Sequence, residues 1–296
     1  MKKELVFRGA ATAIVTPLNE QGIDYDSFGK IIEFQIESGI DAIVVAGTTG
    51  ESPTLNDKEH RDVIDFAVKK IAGRVPVIAG TGSNDTDYAI ELTKHACEAG
   101  VDGLLCVTPY YNKTTQRGLV TMYNKIADAA TKPVILYNVP SRTGVNIEAK
   151  TCKILSEHPM INAVKEASGN ISQVAEIASL CGDDMYIYSG NDDQILPILS
   201  LGGMGVISVL SNILPKETVE MCNKFFKGDI SGSLELQLKL LPLINQLFCE
   251  VNPIPVKAAT AAMGFGDNYL RLPLVPMEES NEARLLELMR EQGINV

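Results

Sequence analysis

The hydrophobic pattern of the chain alternates short apolar runs with longer amphipathic segments. Eight of the short runs are rich in Val and Ile and show no period-2 alternation, as is typical of parallel strands that are covered on both faces. These runs are residues 10–16, 41–46, 75–79, 103–107, 134–137, 161–165, 185–188 and 206–209. Eight strand–helix units in roughly 230 residues predict an α/β fold, a closed (β/α)8 TIM barrel rather than an open sheet.

The segments between the runs contain residues that begin and end helices. Asn56 and Asp85 are predicted N-caps, whereas Gly39, Gly73 and Gly100 lie where helices are expected to stop. No run is followed by a GxGxxG fingerprint, which removes the main support for a dinucleotide-binding fold.

The pattern changes after the eighth run. Residues 212–296 are predicted to be helical, with interruptions at the proline-containing segments 252–255 and 272–273. This region is too long to be the eighth barrel helix alone. We therefore predict a barrel with the catalytic site over residues 1–225 and a C-terminal helical region, residues 226–296, that packs on the barrel.

Composition and charge exclude several classes of function. The chain of 296 residues has 37 acidic and 26 basic residues, a net charge of −11, which argues against a nucleic-acid partner because phosphates need a basic face. No apolar stretch is long enough for a signal peptide or a membrane helix, so we expect a cytoplasmic location and no membrane partner. The six cysteines lack CxxC spacing and suit buried apolar positions.

Neither a metal nor an organic cofactor is expected. The three histidines fall on predicted helical segments: His60, His95 and His158. Asp192 and Asp193 are interpreted as an N-cap and a complement to the helix dipole rather than as metal ligands. The glycine-rich segment 202–205 precedes its strand, so it is predicted to be a tight turn rather than a phosphate loop.

In a barrel of this kind the active site lies at the carboxyl ends of the strands. The residues there include one lysine, several hydroxyls and three tyrosines, with an arginine just beyond and no histidine. They are Thr16, Pro17, segments 47–51, 80–82 and 108–112, Tyr137, Asn138, Arg142, Lys165, Glu166, segment 189–191 and Ser208.

Lys165 closes its strand and is expected to project into the barrel mouth, where apolar surroundings favour a neutral amine that can attack a ketone. From geometry alone, a structural lysine paired with Glu166 or another acid is an equally good interpretation. Tyr137 ends the neighbouring strand and is placed to move protons during Schiff-base formation. The other lysines considered lie on a polar loop, before a strand or in the helical tail: Lys113, Lys132 and Lys257.

Two more groups are candidates for binding carboxylates. Thr48 and Thr49 lie in a glycine-flanked turn, where hydroxyls and backbone N–H groups can hold a carboxylate, although ordinary turn chemistry is the alternative. Arg142 can bind a second carboxylate bidentately, and a solvated surface arginine is its alternative.

Five segments resemble the motifs of the dihydrodipicolinate synthases, which belong to the N-acetylneuraminate lyase family. The segments are GTTGE (47–51), TPYYN (108–112), YNVPSRTG (137–144), KEASG (165–169) and NPIPVK (252–257). The resemblance covers residues from about 8 to about 275, with the motifs in the family's order on the expected strands.

The resemblance implies a Schiff-base mechanism. Lys165 would form an imine with pyruvate, which becomes an enamine and attacks L-aspartate-4-semialdehyde. Cyclisation and transimination would then release 4-hydroxy-tetrahydrodipicolinate, an intermediate toward diaminopimelate and lysine. Thr48 and Tyr137 would relay protons together with Tyr111, which in this family reaches into the site of the neighbouring subunit.

The resemblance also implies substrate-binding residues. Thr49 and nearby backbone groups would hold the pyruvate carboxylate, and Gly190 and Ile207 match positions that line the pyruvate site. Arg142 occupies the position that binds the semialdehyde. Sialic acid lyases usually have a non-basic residue there, so Arg142 favours a short, carboxylated aldehyde.

A regulatory pocket is a further expectation from the family. In lysine-inhibited members an effector pocket lies at a subunit interface, and four residues match its lining: Ser52, His60, Asn84 and Tyr110. Asp57 stands where inhibited members commonly have histidine, and Tyr88 stands where they have a glutamate. Pro53 stiffens the loop. Lysine feedback is therefore expected to be weak or absent.

Two other functions stay open, and the oligomeric state is part of the leading one. One alternative is another pyruvate-dependent aldolase that splits a 2-keto-3-deoxy sugar acid or N-acetylneuraminate. The other is a non-catalytic binding protein of two α/β lobes, which gives Lys165 no role. The expected role of Tyr111 implies at least a tight dimer, and we predict a homotetramer built as a dimer of dimers.

Overall fold

The computed structural model describes residues 3–296, in which eight parallel strands form a closed barrel. A two-stranded antiparallel ribbon follows the first of them. The strands are β1 (Gly9–Ala13), β2 (Leu18–Asn19), β3 (Gly22–Ile23), β4 (Ala42–Val45), β5 (Val77–Gly80), β6 (Gly103–Val107), β7 (Val134–Asn138), β8 (Ile161–Glu166), β9 (Tyr186–Ser189) and β10 (Gly205–Ser208). Strands β1 and β4–β10 overlap the eight apolar runs, so the predicted barrel is confirmed.

Twelve α-helices cover the barrel and form the C-terminal region. They are α1 (Tyr25–Glu37), α2 (Asp57–Ile71), α3 (Thr86–Ala99), α4 (Gln116–Asp128), α5 (Pro140–Thr143), α6 (Ala149–Leu155), α7 (Ile171–Cys181), α8 (Ile195–Ser200), α9 (Pro215–Phe226), α10 (Ile230–Gln246), α11 (Ile254–Ala262) and α12 (Glu279–Glu291). Both predicted N-caps are confirmed, since the Asn56 side chain accepts from the Glu59 N–H and Asp85 accepts from the N–H groups of Asp87 and Tyr88. None of these helices is long and apolar enough to cross a membrane.

Strand residues alternate between two hydrophobic cores, and this alternation places the site residues. One core fills the barrel interior and contains Ile135, Tyr137, Ala163 and Ile207. The other lies between the strands and the helices. Because side chains on a strand point alternately to its two faces, Lys165 shares the interior face with Ala163, whereas Glu166 faces outward.

Four expectations about local structure need correction: the interruption at 252–255, the helicity of residues 263–278, the position of His158 and the burial of all cysteines. Helix α11 begins at Ile254, inside the predicted interruption, and residues 263–278 contain no helix. His158 lies in the turn after α6 rather than on a helix. Cys249 is exposed and Cys97 is half-buried, although the other four cysteines are buried. The predicted division at residues 225 and 226 falls at the end of α9 and stays a prediction.

Candidate active site

Lys165 lies at the carboxyl end of β8, inside the barrel mouth, with 5% of its surface exposed. Its Nζ is 4.2 Å from the ring centroid of Tyr137, the residue beside it in the register of β7 and β8. Gly190 closes the other side, since a Cβ at that position would lie 3.0 Å from the Lys165 Cε and 2.7 Å from the Ala167 Cβ. The amine therefore occupies a narrow, largely apolar space.

Glu166 does not pair with Lys165. Its carboxylate lies on the outer face of the barrel, where it accepts from the Asn138 side chain, the backbone N–H of Ser168 and the Gln173 side chain. Within residues 3–296 the Lys165 amine has no ion-pair partner. The alternative of a structural Lys165–Glu166 pair is thus wrong, and the amine is left free for chemistry.

The turn at 47–51 brings Thr48 and Thr49 to the end of β4. Thr49 is buried, and its Oγ1 accepts from the Asn252 side-chain amide at 3.0 Å. Arg142, on the short helix α5, is exposed and donates to the Asn252 carbonyl oxygen at 3.1 Å. Asn252 therefore connects the two predicted carboxylate-binding groups, and the sequence interpretation had placed it only within a family motif.

A cavity of about 200 Å³ lies between these groups. Its lining includes Thr48, Arg142, Ser52 and Tyr110. The structure thus brings two predicted site residues together with two residues of the predicted effector pocket.

The remaining predicted residues occupy separate positions. Ile207 is buried in the barrel interior, whereas Tyr111 has a φ of 70° and is 93% exposed, with its ring outside this chain's core. His60 is buried, and its Nε2 donates to the Gly80 carbonyl oxygen at 2.7 Å. Burial lowers the pKa of His60. Asn84 donates to the Tyr110 carbonyl oxygen at 3.2 Å.

A buried ion pair contacts the turn at residues 47–51. The Lys257 Nζ lies 2.5 Å from the Glu51 carboxylate and 3.2 Å from the Thr16 carbonyl oxygen. Only 2% of the Lys257 surface is exposed, and burial lowers its pKa while the Glu51 charge raises it. From the sequence Lys257 is a weaker candidate nucleophile. In the structure its amine contacts Glu51 and Thr16, so its role is structural.

Asp192 is not the N-cap that the sequence predicted. It is buried within the short turn after β9, and its Oδ2 accepts from the backbone N–H groups of Val209 and Leu210, each at 2.9 Å. Burial raises the pKa of Asp192. The residue joins the ends of β9 and β10, whereas its neighbour Asp193 is exposed.

Comparisons with known proteins agree on one family. Residues 6–292 match the model of the dihydrodipicolinate synthetase family. The 4-hydroxy-tetrahydrodipicolinate synthase of Caldicellulosiruptor saccharolyticus is 55% identical over 98% of this chain and 99% of the relative.

Solved structures give the same result. The structure of dihydrodipicolinate synthase from Aquifex aeolicus has a TM-score of 0.96 and 45% identity, over 97% of this chain and 99% of that one. The enzyme from Acinetobacter baumannii, solved in complex with pyruvate, has a TM-score of 0.95 and 43% identity over the same shares.

Proposed function

Because the chain belongs to the dihydrodipicolinate synthetase family, we propose that it condenses pyruvate with L-aspartate-4-semialdehyde to give 4-hydroxy-tetrahydrodipicolinate, in the diaminopimelate route to lysine. The observation that carries this proposal is the buried Lys165 amine, which lies against the Tyr137 ring and has no ion-pair partner within residues 3–296. It suits a class I aldolase mechanism, in which a lysine amine is the nucleophile.

The chemistry begins when the Lys165 amine attacks the pyruvate ketone. The carbinolamine loses water to form an imine, and removal of a methyl proton gives the enamine that attacks the aldehyde. Protons must reach and leave the carbinolamine oxygen, and Tyr137, whose ring centroid lies 4.2 Å from the amine, carries a phenol that can move them. Thr48, at the edge of the same mouth, extends this relay.

Carboxylate recognition selects the two substrates. Thr49 and the backbone of its turn hold the pyruvate carboxylate, with Gly190 and Ile207 shaping the space around it. Arg142 lines the cavity above and binds the carboxylate of the semialdehyde. A guanidinium at this position favours a short, carboxylated aldehyde over the polyhydroxy aldehyde that a sugar-acid aldolase, the alternative reaction, would bind.

Borohydride reduction tests the nucleophile. With pyruvate present, the imine should be reduced to a stable secondary amine, and peptide mass mapping should find the adduct on Lys165 with concomitant loss of activity. Lys257 is the internal control, because it is equally buried but engaged by Glu51. An adduct on another lysine, or none, would overturn the proposed function.

The aldehyde is tested by comparing substrates. Product should form from pyruvate with L-aspartate-4-semialdehyde, whereas N-acetylneuraminate should be cleaved at least about 10³-fold more slowly, because a site built for one polar group strongly rejects substrates that lack it. Faster cleavage of N-acetylneuraminate than synthesis would favour the alternative aldolase.

We propose that the active form is a homotetramer, arranged as a dimer of dimers. The support is Tyr111, whose ring is almost fully exposed on a strained left-handed backbone and makes no side-chain hydrogen bond within residues 3–296. A partner subunit would bury this ring and receive its hydroxyl. Weak or absent lysine feedback and a cytoplasmic location stay predictions.

Sedimentation and one substitution test this assembly. Wild type should sediment at least as a dimer, and Tyr111→Phe should lower kcat by about 10-fold or more, because it removes a proton-relay hydroxyl without changing the assembly. Tyr25→Phe, on α1, is the matched control and should keep full activity. A fully active monomer would contradict the proposal.

A further inference from the structure

A cluster of polar side chains lies on the outer face of the barrel, next to the strand positions of Tyr137 and Lys165. We define it by four residues: Asn138, Asn146, Glu166 and Gln173. Asn138 and Glu166 directly follow Tyr137 and Lys165 on adjacent strands, and they are 0% and 1% exposed. We infer that this cluster is a positioning device, which holds the Tyr137 hydroxyl and the Lys165 amine at reacting distance.

The Glu166 carboxylate is the centre of the cluster. Its Oε1 accepts from the Ser168 N–H at 2.7 Å and from the Asn138 Nδ2 at 3.2 Å, and its Oε2 accepts from Asn138 Nδ2 at 3.0 Å and Gln173 Nε2 at 3.1 Å. All of these partners are donors, so the position requires a group that only accepts. No cation pairs with Glu166 within residues 3–296.

The same contacts fix the two strands relative to one another. Tyr137 pairs with Lys165 and Asn138 pairs with Glu166 in the register of β7 and β8. A side-chain hydrogen bond one residue beyond the catalytic pair therefore resists sliding or separation of the two strand ends. It adds to the backbone hydrogen bonds at these strand ends, among them the one from the Ala167 N–H to the Asn138 carbonyl oxygen at 2.9 Å.

The cluster also anchors the segment that carries Arg142. The chain leaves β7, forms α5 and returns to the barrel at Ile147, whose N–H donates to the Asn138 Oδ1 at 2.9 Å. Asn146, beside it, accepts from Asn138 and exchanges two hydrogen bonds with Gln173. The buried Asn138 side chain thus connects the strand ends that carry Tyr137 and Lys165 with the loop that carries Arg142.

This inference rests on the proposed function, and one substitution tests it. Glu166→Gln places an –NH2 group against the Gln173 amide or the Ser168 N–H, where only acceptors fit. We expect kcat to fall about 10²-fold, because a shift of about 1 Å between reacting groups has that effect. The KM for pyruvate should change less than about threefold, since the carboxylate site lies on the β4 turn.

A reciprocal exchange distinguishes positioning from mere destabilisation. When Glu166→Gln is combined with Gln173→Glu, the new carboxylate accepts from the new amide at position 166 and from the Asn146 Nδ2. The contact between positions 166 and 173 then joins a donor to an acceptor again. Because the Gln173 Nε2 also donates to the Asn146 Oδ1, which would then face a carboxylate, this double variant should recover part of the loss and raise kcat at least about threefold above that of Glu166→Gln. Glu176→Gln, an exposed residue on α7, should change nothing.

Asp41→Ala controls for lost stability. The Asp41 carboxylate is partly buried at the opposite end of the barrel and accepts from the Ala10 N–H at 2.8 Å, so removing this acceptor should lower the melting temperature and leave kcat unchanged. If Glu166→Gln keeps a kcat within about threefold of wild type, or if the exchange fails to raise kcat above that of Glu166→Gln, the positioning role is wrong. Failure of wild type to trap pyruvate on Lys165 would instead refute the proposed function.

Discussion

Lys165→Met is expected to lower kcat/KM by at least about 10³-fold, because the substitution removes the proposed nucleophile and keeps the shape of the side chain. Methionine retains the unbranched apolar stem, which lies between the Tyr137 ring and Gly190. The measurements are product formation from pyruvate and L-aspartate-4-semialdehyde, and borohydride trapping, which should find no adduct.

The same variant should be at least as stable as wild type. Among residues 3–296 the buried Lys165 amine has no ion-pair partner, and desolvation of an amine costs stability that a catalytic site tolerates for the sake of function. Methionine removes that cost, so the melting temperature should stay the same or rise. Lys132→Met, before β7 at the other end of the barrel, is the control and should keep full activity. Retention of more than about a tenth of the activity in Lys165→Met would mean that another residue is the nucleophile.

The fold could be predicted from the sequence because its signals are local. Parallel strands covered on both faces give uniform apolar runs, and each run is short enough to be distinguished from a helix. Helix starts depend on residues within one turn, as at Asn56 and Asp85. The general location of the site followed as well, since barrel chemistry lies at the carboxyl ends of the strands.

The sequence could not show which strand side chains face the barrel interior and which face outward. Lys165 and Glu166 are adjacent, and a shift of the strand by one residue would exchange their faces. The uniform apolar run gave no alternation from which to read that phase, so the paired and free interpretations of the lysine were equal. The structure decides between them because Asn138, Ser168 and Gln173 supply donors to Glu166 on the outer face.

Long-range partners were not predictable from local pattern. Asp192 and Asp193 look equivalent in the sequence, but only Asp192 meets the backbone N–H groups at the end of β10. Lys257 pairs with a carboxylate 206 positions away, and the sequence showed only a lysine in a helical tail. Such contacts depend on how the C-terminal region packs on the barrel, which no spacing rule specifies.

Lys257→Met is expected to have the opposite effect on stability from Lys165→Met, although both lysines are buried. The Lys257 amine contacts the Glu51 carboxylate at 2.5 Å and the Thr16 carbonyl oxygen at 3.2 Å. Removing it leaves Glu51 with a buried charge and only the weaker contact from the Arg271 N–H at 3.3 Å. The free energy of unfolding, measured by urea denaturation, should fall by about 3–5 kcal/mol.

Activity should fall together with stability, because Glu51 closes the turn that carries Thr48 and Thr49. Displacement of that turn should lower kcat/KM about 10²-fold. Glu51→Gln combined with Lys257→Met removes the unpaired charge and should recover about half or more of the lost stability. Lys58→Met breaks an exposed ion pair with Asp62 on α2 and should leave both quantities unchanged. If Lys257→Met were as stable as wild type, the ion pair would not be what holds the turn in place.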